Sequence, residues 1–395
     1  MTPSAPHGSV IVHVFGRTDV GRTREHNEDA FVVADLTRGN ATLQPEVRTH
    51  EVGDRGTLFM VADGMGGAAA GEIASAMAIE VVLQKLSDAL ATNDAPDKET
   101  YAYTIKQAAA AANTHIHSFA LEHPEFRGMG TTATIAGVLG DTLYLAQVGD
   151  SRAYLVRKGI ALQITKDQSL MQKLIEAGEI TEEEAEQSER RNIILQALGP
   201  EANIKVDLTH QKVRKGDTLI LCSDGLSGQV RIDEIAKVAT EEQDLITVCK
   251  RLIDRANENG GPDNITVIAA RFDGDGLSQP ENGDDVGHRV FPLPTDSLQT
   301  EAQRRTTAPT MSASGGERRS TLKVPTGEMM LPMEIERSVP MRPSQTPEVL
   351  AQRKTRGSLI ALGLLVLLLV GATWWVYSTA SSVVKTKPAP TAPKQ

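Results

Sequence analysis

LFMVADGMGG, residues 58–67, runs five apolar residues into Asp63 and then sets three glycines in four positions. An unbroken apolar run closed by a turn predicts a buried strand. Asp63 therefore sits at the tip of a buried strand, where a lone carboxylate is costly unless something positive compensates it. The glycines beside it let another group come close to the backbone.

Similar runs lie on either side of this stretch. VFGRTDVG, AFVVADL, GTLFMVADG, TTATIAGVLGDTLYLAQVGDSRAYLVRKG, DTLILCSDG and NITVIAARF are rich in β-branched and apolar residues. Gly140-Asp141 and Arg157-Lys158-Gly159 predict hairpin turns. Residues 71–90 and about 103–123 carry apolar residues at helical spacing, with many alanines for close packing. Many hairpins and two long helices predict an α+β fold: an antiparallel sheet sandwich flanked by helices.

Asp63 has counterparts at other strand ends. Asp150 follows AQVG, Asp224 follows LCS, Asp263 precedes NITVIAA, and Glu28-Asp29 precede AFVVAD. A single Asp-Gly pair is an ordinary turn. Five acidic sites at strand ends are different, because convergence would make the carboxylates repel and raise one another's pKa. A divalent cation relieves that crowding. Oxygen ligands without His or Cys favour Mg2+ or Mn2+. Gly64 leaves room for its carbonyl to face such an ion. Arg24, five residues before Asp29, adds a planar guanidinium suited to phosphate oxygens; standing alone it would be a surface ion-pair partner. Two ions sharing a carboxylate, next to an arginine, point to phosphoryl chemistry with a water activated between the ions.

RTREHNEDA, VADGMGG, MGTTAT, VGDSRAYL, LCSDGL and GPDNITVI occur in this order. In this the chain resembles the type 2C protein phosphatases, the metal-dependent (PPM) serine/threonine phosphatases, over about residues 13–272. It looks most similar to bacterial, membrane-anchored members. The resemblance implies a four-layer α-β-β-α sandwich of two antiparallel sheets. It also implies roles: Asp63 bridges two ions, and the Gly64 carbonyl binds one of them. Asp224 and Asp263 complete the first ion, and Glu28 and Asp29 hold the second, largely through water. Asp150, with Asp224, binds a third, weaker ion. Arg24 grips the substrate phosphate, and Gln168 to about Arg190 forms a flap beside the site.

Three positions depart from the family pattern. Met65 stands where animal members often carry a histidine that donates a proton to the leaving group. Gln168, in Asp167-Gln168-Ser169, stands where bacterial relatives often carry histidine, and Gln196 where they often carry arginine. The proton donor is then assigned to a metal-bound water. No metal position is lost, so an active enzyme is expected. Several other features carry no expected role. His115, His117 and His123 lack metalloprotease spacing. Cys222 and Cys249 lack metal-ligand spacing and suit a reducing compartment. RRTT (304–307) and RRST (318–321) resemble short kinase sites.

The chain has 395 residues, 40% hydrophobic, and a formal net charge of −10. That charge argues against nucleic acid as a partner. The expected organisation is a flexible N-terminus (1–12), a phosphatase domain (13–272) and a disordered Pro/Ser/Thr-rich linker (273–356). A transmembrane helix (357–378) and a short extracytoplasmic tail (379–395) follow. The span's core, LIALGLLVLLLVGATWWVY (359–377), is uncharged and long enough for a ~30 Å hydrocarbon layer. Arg353, Lys354 and Arg356 precede it, and the N-terminus lacks a signal peptide. Both place the domain in the cytoplasm, tethered to the inner (cell) membrane. The expected function is hydrolysis of phosphoserine and phosphothreonine on cytoplasmic proteins, opposing a membrane Ser/Thr kinase. The alternatives are a phosphoprotein-binding pseudophosphatase and an enzyme acting on a small phosphorylated metabolite.

Overall fold

The structure is a computed structural model that describes residues 8–41, 45–91, 95–281 and 283–292. The expected transmembrane helix, the tail and the linker beyond 292 lie outside the described residues. Among the described residues no helix is long and apolar enough to cross a membrane.

The described residues form twelve strands, eight α-helices and one short 3-10 helix at Pro124–Phe126. They run β1 (Ile11–Asp19), β2 (Asp29–Asp35), α1 (Pro45–Arg48), β3 (Thr49–Glu51), β4 (Thr57–Met65), α2 (Ala68–Ala91) and α3 (Lys98–Glu122). Next come β5 (Gly130–Thr131), β6 (Ala133–Leu139), β7 (Thr142–Val148), β8 (Arg152–Arg157), β9 (Ile160–Gln163), α4 (Leu170–Glu176) and α5 (Glu182–Glu186). The last are β10 (Asp207–Lys212), β11 (Thr218–Cys222), α6 (Asp224–Ser227), α7 (Ile232–Glu241), α8 (Leu245–Glu258) and β12 (Ile265–Asp273).

One sheet has the order β3-β1-β12-β11-β8-β9 and the other β10-β7-β6-β4-β2, and the named pairings are antiparallel. The two inner faces enclose a core that includes Val33, Phe59, Val61, Leu145, Leu221 and Ile268. Because strand side chains alternate, the outer faces need their own cover. Helices α2 and α3 pack through Ala74, Ala78, Ala109 and Ala112 against Met60 and Ile135 of the second sheet. Helices α7 and α8 cover Tyr154, Ile220 and Val267 of the first. The layers are therefore helix, sheet, sheet, helix, and the alanines allow the close approach expected from the sequence.

The hairpins form where expected. Gly140 (φ 56°) begins the turn between β6 and β7, and Lys158 (φ 51°) and Gly159 (φ 80°) form the turn between β8 and β9. Two successive positive φ angles match the strand twist of a two-residue hairpin. Helix α3 starts earlier than its apolar spacing suggests, because the Asp97 carboxylate accepts from the Thr100 amide and caps it.

Both domain boundaries differ from the sequence expectation. Val10 is buried and its carbonyl accepts from the Val52 amide, so packed chain begins before residue 13. At the other end, residues 273–281 and 283–292 lie on the domain. The Arg214 guanidinium donates two bonds of 2.9 Å to Asp284. Phe291 donates its amide to Leu208 and rests edge-on against Tyr144 and His210. Polar composition concealed this segment: it is held by ion pairs, by Phe291 and by the buried Leu277, not by an apolar run. It covers β10, an edge strand whose DLTHQK sequence has no strong β signal of its own.

Candidate functional site

The acidic residues come together through sheet register and a few short connections. Strands β2 and β4 pair so that Asp29 lies opposite Asp63. The Gly64 amide donates to the Glu28 carbonyl (3.2 Å), which fixes the next residue pair. Asp63 is held by Thr132, whose hydroxyl accepts from the Asp63 amide (3.0 Å), and by Thr131, whose hydroxyl donates to the Asp63 carbonyl (2.9 Å). Asp224 opens α6 at the end of β11, and Asp263 precedes β12, the strand next to it. Asp150 sits at the turn from β7 to β8.

Glu28, Asp29 and Asp150 are buried, whereas Asp63, Asp224 and Asp263 are half-buried. Their electrostatics show that they share one place. Burial pushes the Asp63 carboxyl well above its ordinary range, and Asp29, Asp224, Asp150 and Asp263 push it further. Burial raises Asp29 to about 7 against the lowering effect of its hydroxyl partners. Burial and then Asp224 raise Asp150 to about 8. Asp224 rises through burial and Asp263, while a hydrogen bond shared with Asp63 pulls it down. Glu28 is raised, chiefly by burial. These are the effects of like charges gathered in a poorly hydrated spot.

The donor chemistry fits divalent cations. Oδ1 of Asp29, of Asp150 and of Asp224 are each buried without a hydrogen-bond partner. Three orphaned carboxylate oxygens in one acidic site need a positive partner, and an all-oxygen set selects a hard ion. Among the described residues, no group of three or more His, Cys, Asp or Glu side chains is arranged so that it could already hold a metal ion. The carboxylates instead lie within electrostatic range of one another.

Arg24 lies on the loop between β1 and β2. It is half exposed, and its Nη2 donates to Asp263 Oδ2 at 2.9 Å. It is thus bound to the rim of the acidic ring with donors to spare. Two glycines explain the closeness around Glu28. A Cβ on Gly64 would come within 2.3 Å of the Gly71 carbonyl oxygen and 2.6 Å of the Glu28 one, and a Cβ on Gly71 would meet the Glu28 carboxylate at 2.0 Å. Gly64 is thus needed for the approach of α2 to the strand end, a reason separate from any ion.

Asp29, Asp63, Asp150, Asp224 and Asp263 act electrostatically on one another, and Glu28 and Arg24 are within reach of Asp263. Others the sequence did not single out hold this group together. Ser223 Oγ and Thr266 Oγ1 donate to Asp29 Oδ2 at 2.8 and 2.7 Å. Asn264 is 4% exposed, and its amide nitrogen donates to the carbonyls of Val20 and His26, both at 2.9 Å. Its amide oxygen accepts from the Glu28 amide at 2.8 Å. One side chain thereby closes the loop that carries Arg24. The available signal was adjacency: Ser223 and Asn264 neighbour Asp224 and Asp263. Arg152 makes a forked ion pair with Asp167 (Nη2 to Oδ2, 2.7 Å) behind Asp150. His117 bonds the Gly199 carbonyl and Cys222 is fully buried, so neither faces the site.

The family model described as Protein phosphatase 2C matches residues 38–267. The serine/threonine phosphatase stp of Listeria monocytogenes is 36% identical over 66% of this chain and 96% of its own length. The serine/threonine protein phosphatase PstP of Mycobacterium tuberculosis is also 36% identical, over 66% of this chain and 45% of its own. A crystal structure of the catalytic domain of PstP in complex with two manganese ions superposes with a TM-score of 0.55. It shares 34% identity and covers 67% of this chain and 99% of that one. A Streptococcus agalactiae serine/threonine phosphatase superposes at 0.58 with 32% identity, over 66% and 99% of the two chains.

Proposed function

Because the chain belongs to the protein phosphatase 2C family, we propose that it hydrolyses phosphoserine and phosphothreonine on cytoplasmic proteins. The observation that supports this most is the mutual electrostatic influence of Asp63, Asp150, Asp224 and Asp263, with Arg24 bound to Asp263. Asp63, with the Gly64 carbonyl, Asp224 and Asp263, would hold one Mn2+ or Mg2+ ion. Asp63, Glu28 and Asp29 would hold a second, and Asp150 with Asp224 a weaker third. Bound ions would neutralise the phosphate and lower the pKa of a water so that it can act as the nucleophile.

The chain's own side chains have separate tasks. Arg24 offers two parallel donors to phosphate oxygens and orients the phosphoryl group. Ser223 and Thr266 hold Asp29 Oδ2, leaving its other oxygen facing the acidic ring. Met65 has no proton to give, so the leaving alkoxide is protonated by water.

The reading extends to location. The apolar span at 357–378 would tether the domain to the cell membrane, with the phosphatase on the cytoplasmic side. Tethering raises the effective concentration toward membrane neighbours, which makes a membrane Ser/Thr kinase the natural opponent.

The test uses the full-length chain in mild detergent with a phosphothreonine peptide. Phosphate is released with Mn2+, none with EDTA, and Asp63→Asn and Asp224→Asn remove activity. Undiminished activity in either variant overturns the assignment. Tight phosphopeptide binding without turnover would make the protein a binding module instead.

A further inference from the structure

The flap beside the acidic ring is a closed loop with two feet. Ser169 and Ile194 form a bridge, and the Leu170 amide donates to the Ile193 carbonyl at 2.9 Å. Helices α4 and α5 lie between the feet, and Arg190 and Arg191 are exposed on the return limb. Short loops with few apolar contacts move unless something holds their ends.

Two glutamines hold them. At the first foot, the Gln168 amide donates to the Gly149 carbonyl (2.9 Å), and its Oε1 accepts from the Gly149 amide (3.0 Å). Gly149 directly precedes Asp150. The Gln168 carbonyl also accepts from the Leu195 amide at 2.7 Å, which ties the first foot to the second. Gln168 Nε2 donates to the Lys205 carbonyl at 3.2 Å. At the second foot, Gln196 Oε1 accepts from the amide of the same Lys205 at 2.8 Å. One peptide segment ahead of β10 is thus grasped from both ends of the flap by two side-chain amides. Past Gln196, Leu198 and Thr131 exchange two backbone bonds (2.8 and 3.0 Å), and Thr131 is the residue whose hydroxyl holds the Asp63 carbonyl.

We propose that Gln168 and Gln196 are positioning residues that clasp Lys205 between them and fix both feet of the flap beside the carboxylates. They set affinity for a phosphorylated polypeptide, whose flanking residues reach the flap, and not for a small phosphate ester. Gln168 thereby has a task that needs an acceptor and a donor on one side chain, with no proton chemistry. Ile193 and Leu195, 43% and 36% exposed, give the return limb apolar surface for such flanking residues.

This inference rests on the phosphatase reading above, and two readouts separate their failures. The full-length chain and its Gln168→Ala, Gln196→Ala and Gln168→His variants are compared with Mn2+ on a phosphothreonine peptide and on p-nitrophenyl phosphate. Trypsin cleavage at Arg190 and Arg191 is timed in parallel. Both alanine variants should raise the peptide KM and the cleavage rate about three- to tenfold, the scale of one or two lost neutral hydrogen bonds. The small-ester KM and kcat should stay within about twofold. Histidine supplies one acceptor and one donor, so Gln168→His should restore both values to within about twofold of the parent. Unchanged cleavage and peptide KM in both alanine variants would refute the clasp. An equal rise for both substrates would also refute it. A parent chain that hydrolyses neither substrate removes the phosphatase reading, while the trypsin rates still decide whether the flap is clasped. Should Gln168→Ala melt early, Gln196→Ala carries the test.

Discussion

Asn264 makes three hydrogen bonds of 2.8–2.9 Å from a position 4% exposed, and all three go to the loop that carries Arg24. Asn264→Ala leaves the Glu28 amide and the Val20 and His26 carbonyls without that partner. At about 0.5–1.5 kcal/mol net per bond, the loss is about 1.5–4.5 kcal/mol. At about 2 °C per kcal/mol for a domain of this size, the melting temperature falls by about 3–9 °C. Asn264→Asp is the sharper perturbation. It preserves shape and the acceptor for Glu28, but sets a carboxylate oxygen against two carbonyls and adds a charge beside Asp263. A freed loop lets Arg24 swing away from the phosphate position. Loss of about 1.4 kcal/mol of phosphate binding raises KM for a phosphothreonine peptide about tenfold, with a smaller change in kcat. In a double-mutant cycle, Asn264→Asp should add little to the KM of Arg24→Ala, because both act through one contact. Additive KM effects, or a KM for Asn264→Asp equal to the parent's, would refute the assignment of Asn264 to the arginine loop.

Arg24→Lys should also lose most phosphate affinity, since an ammonium cannot make the two parallel bonds of a guanidinium; peptide KM measures it, and a parental value contradicts it. Arg157 is 8% exposed and forks onto Asp217, 1% exposed, at 2.9 and 2.6 Å. Arg157→Ala strands that carboxylate and should cost about 3–5 kcal/mol, read by denaturant unfolding. Truncation after Phe272 removes Asp284 and Phe291 and should lower the melting temperature, whereas truncation after Pro292 should not. In EDTA, folded Asp29 and Asp150 titrate near 7 and 8, against about 3.9 unfolded. The folded state binds more protons across that interval, so their contribution is full below about pH 4 and is lost as pH rises through about 8. The melting temperature in EDTA should therefore fall between pH 5 and pH 8.5 by more than it does with Mn2+; equal slopes would contradict this.

Much of the site was legible because carboxylates at strand ends need a reason. Asp63, Asp224 and Asp263 each close or open an apolar run, and antiparallel pairing brings such ends together. The hairpins at Gly140 and Gly159 and the alanine-rich helices were legible through turn chemistry and period. What stayed hidden depends on contacts between distant segments. Asn264 resembles any turn asparagine until β12 sets it under the Arg24 loop. Strand β10 is almost wholly polar and bonds the segment that carries Phe291, and no local pattern announces a strand completed from outside. Gln168 and Gln196 looked like losses of histidine and arginine, since their shared partner, the Lys205 backbone, has no side-chain signature.

The central claim is that the acidic ring gathers carboxylates for divalent ions, and proton release on metal binding tests it most directly. Mn2+ is titrated into the EDTA-stripped, dialysed protein at pH 7 by calorimetry, in buffers of different ionisation enthalpy. Carboxyls held partly protonated by one another must lose those protons when a cation binds. The account predicts binding with a net proton release, diminished in Asp63→Asn and Asp150→Asn. Binding with no buffer dependence, or no binding at millimolar Mn2+, would contradict it.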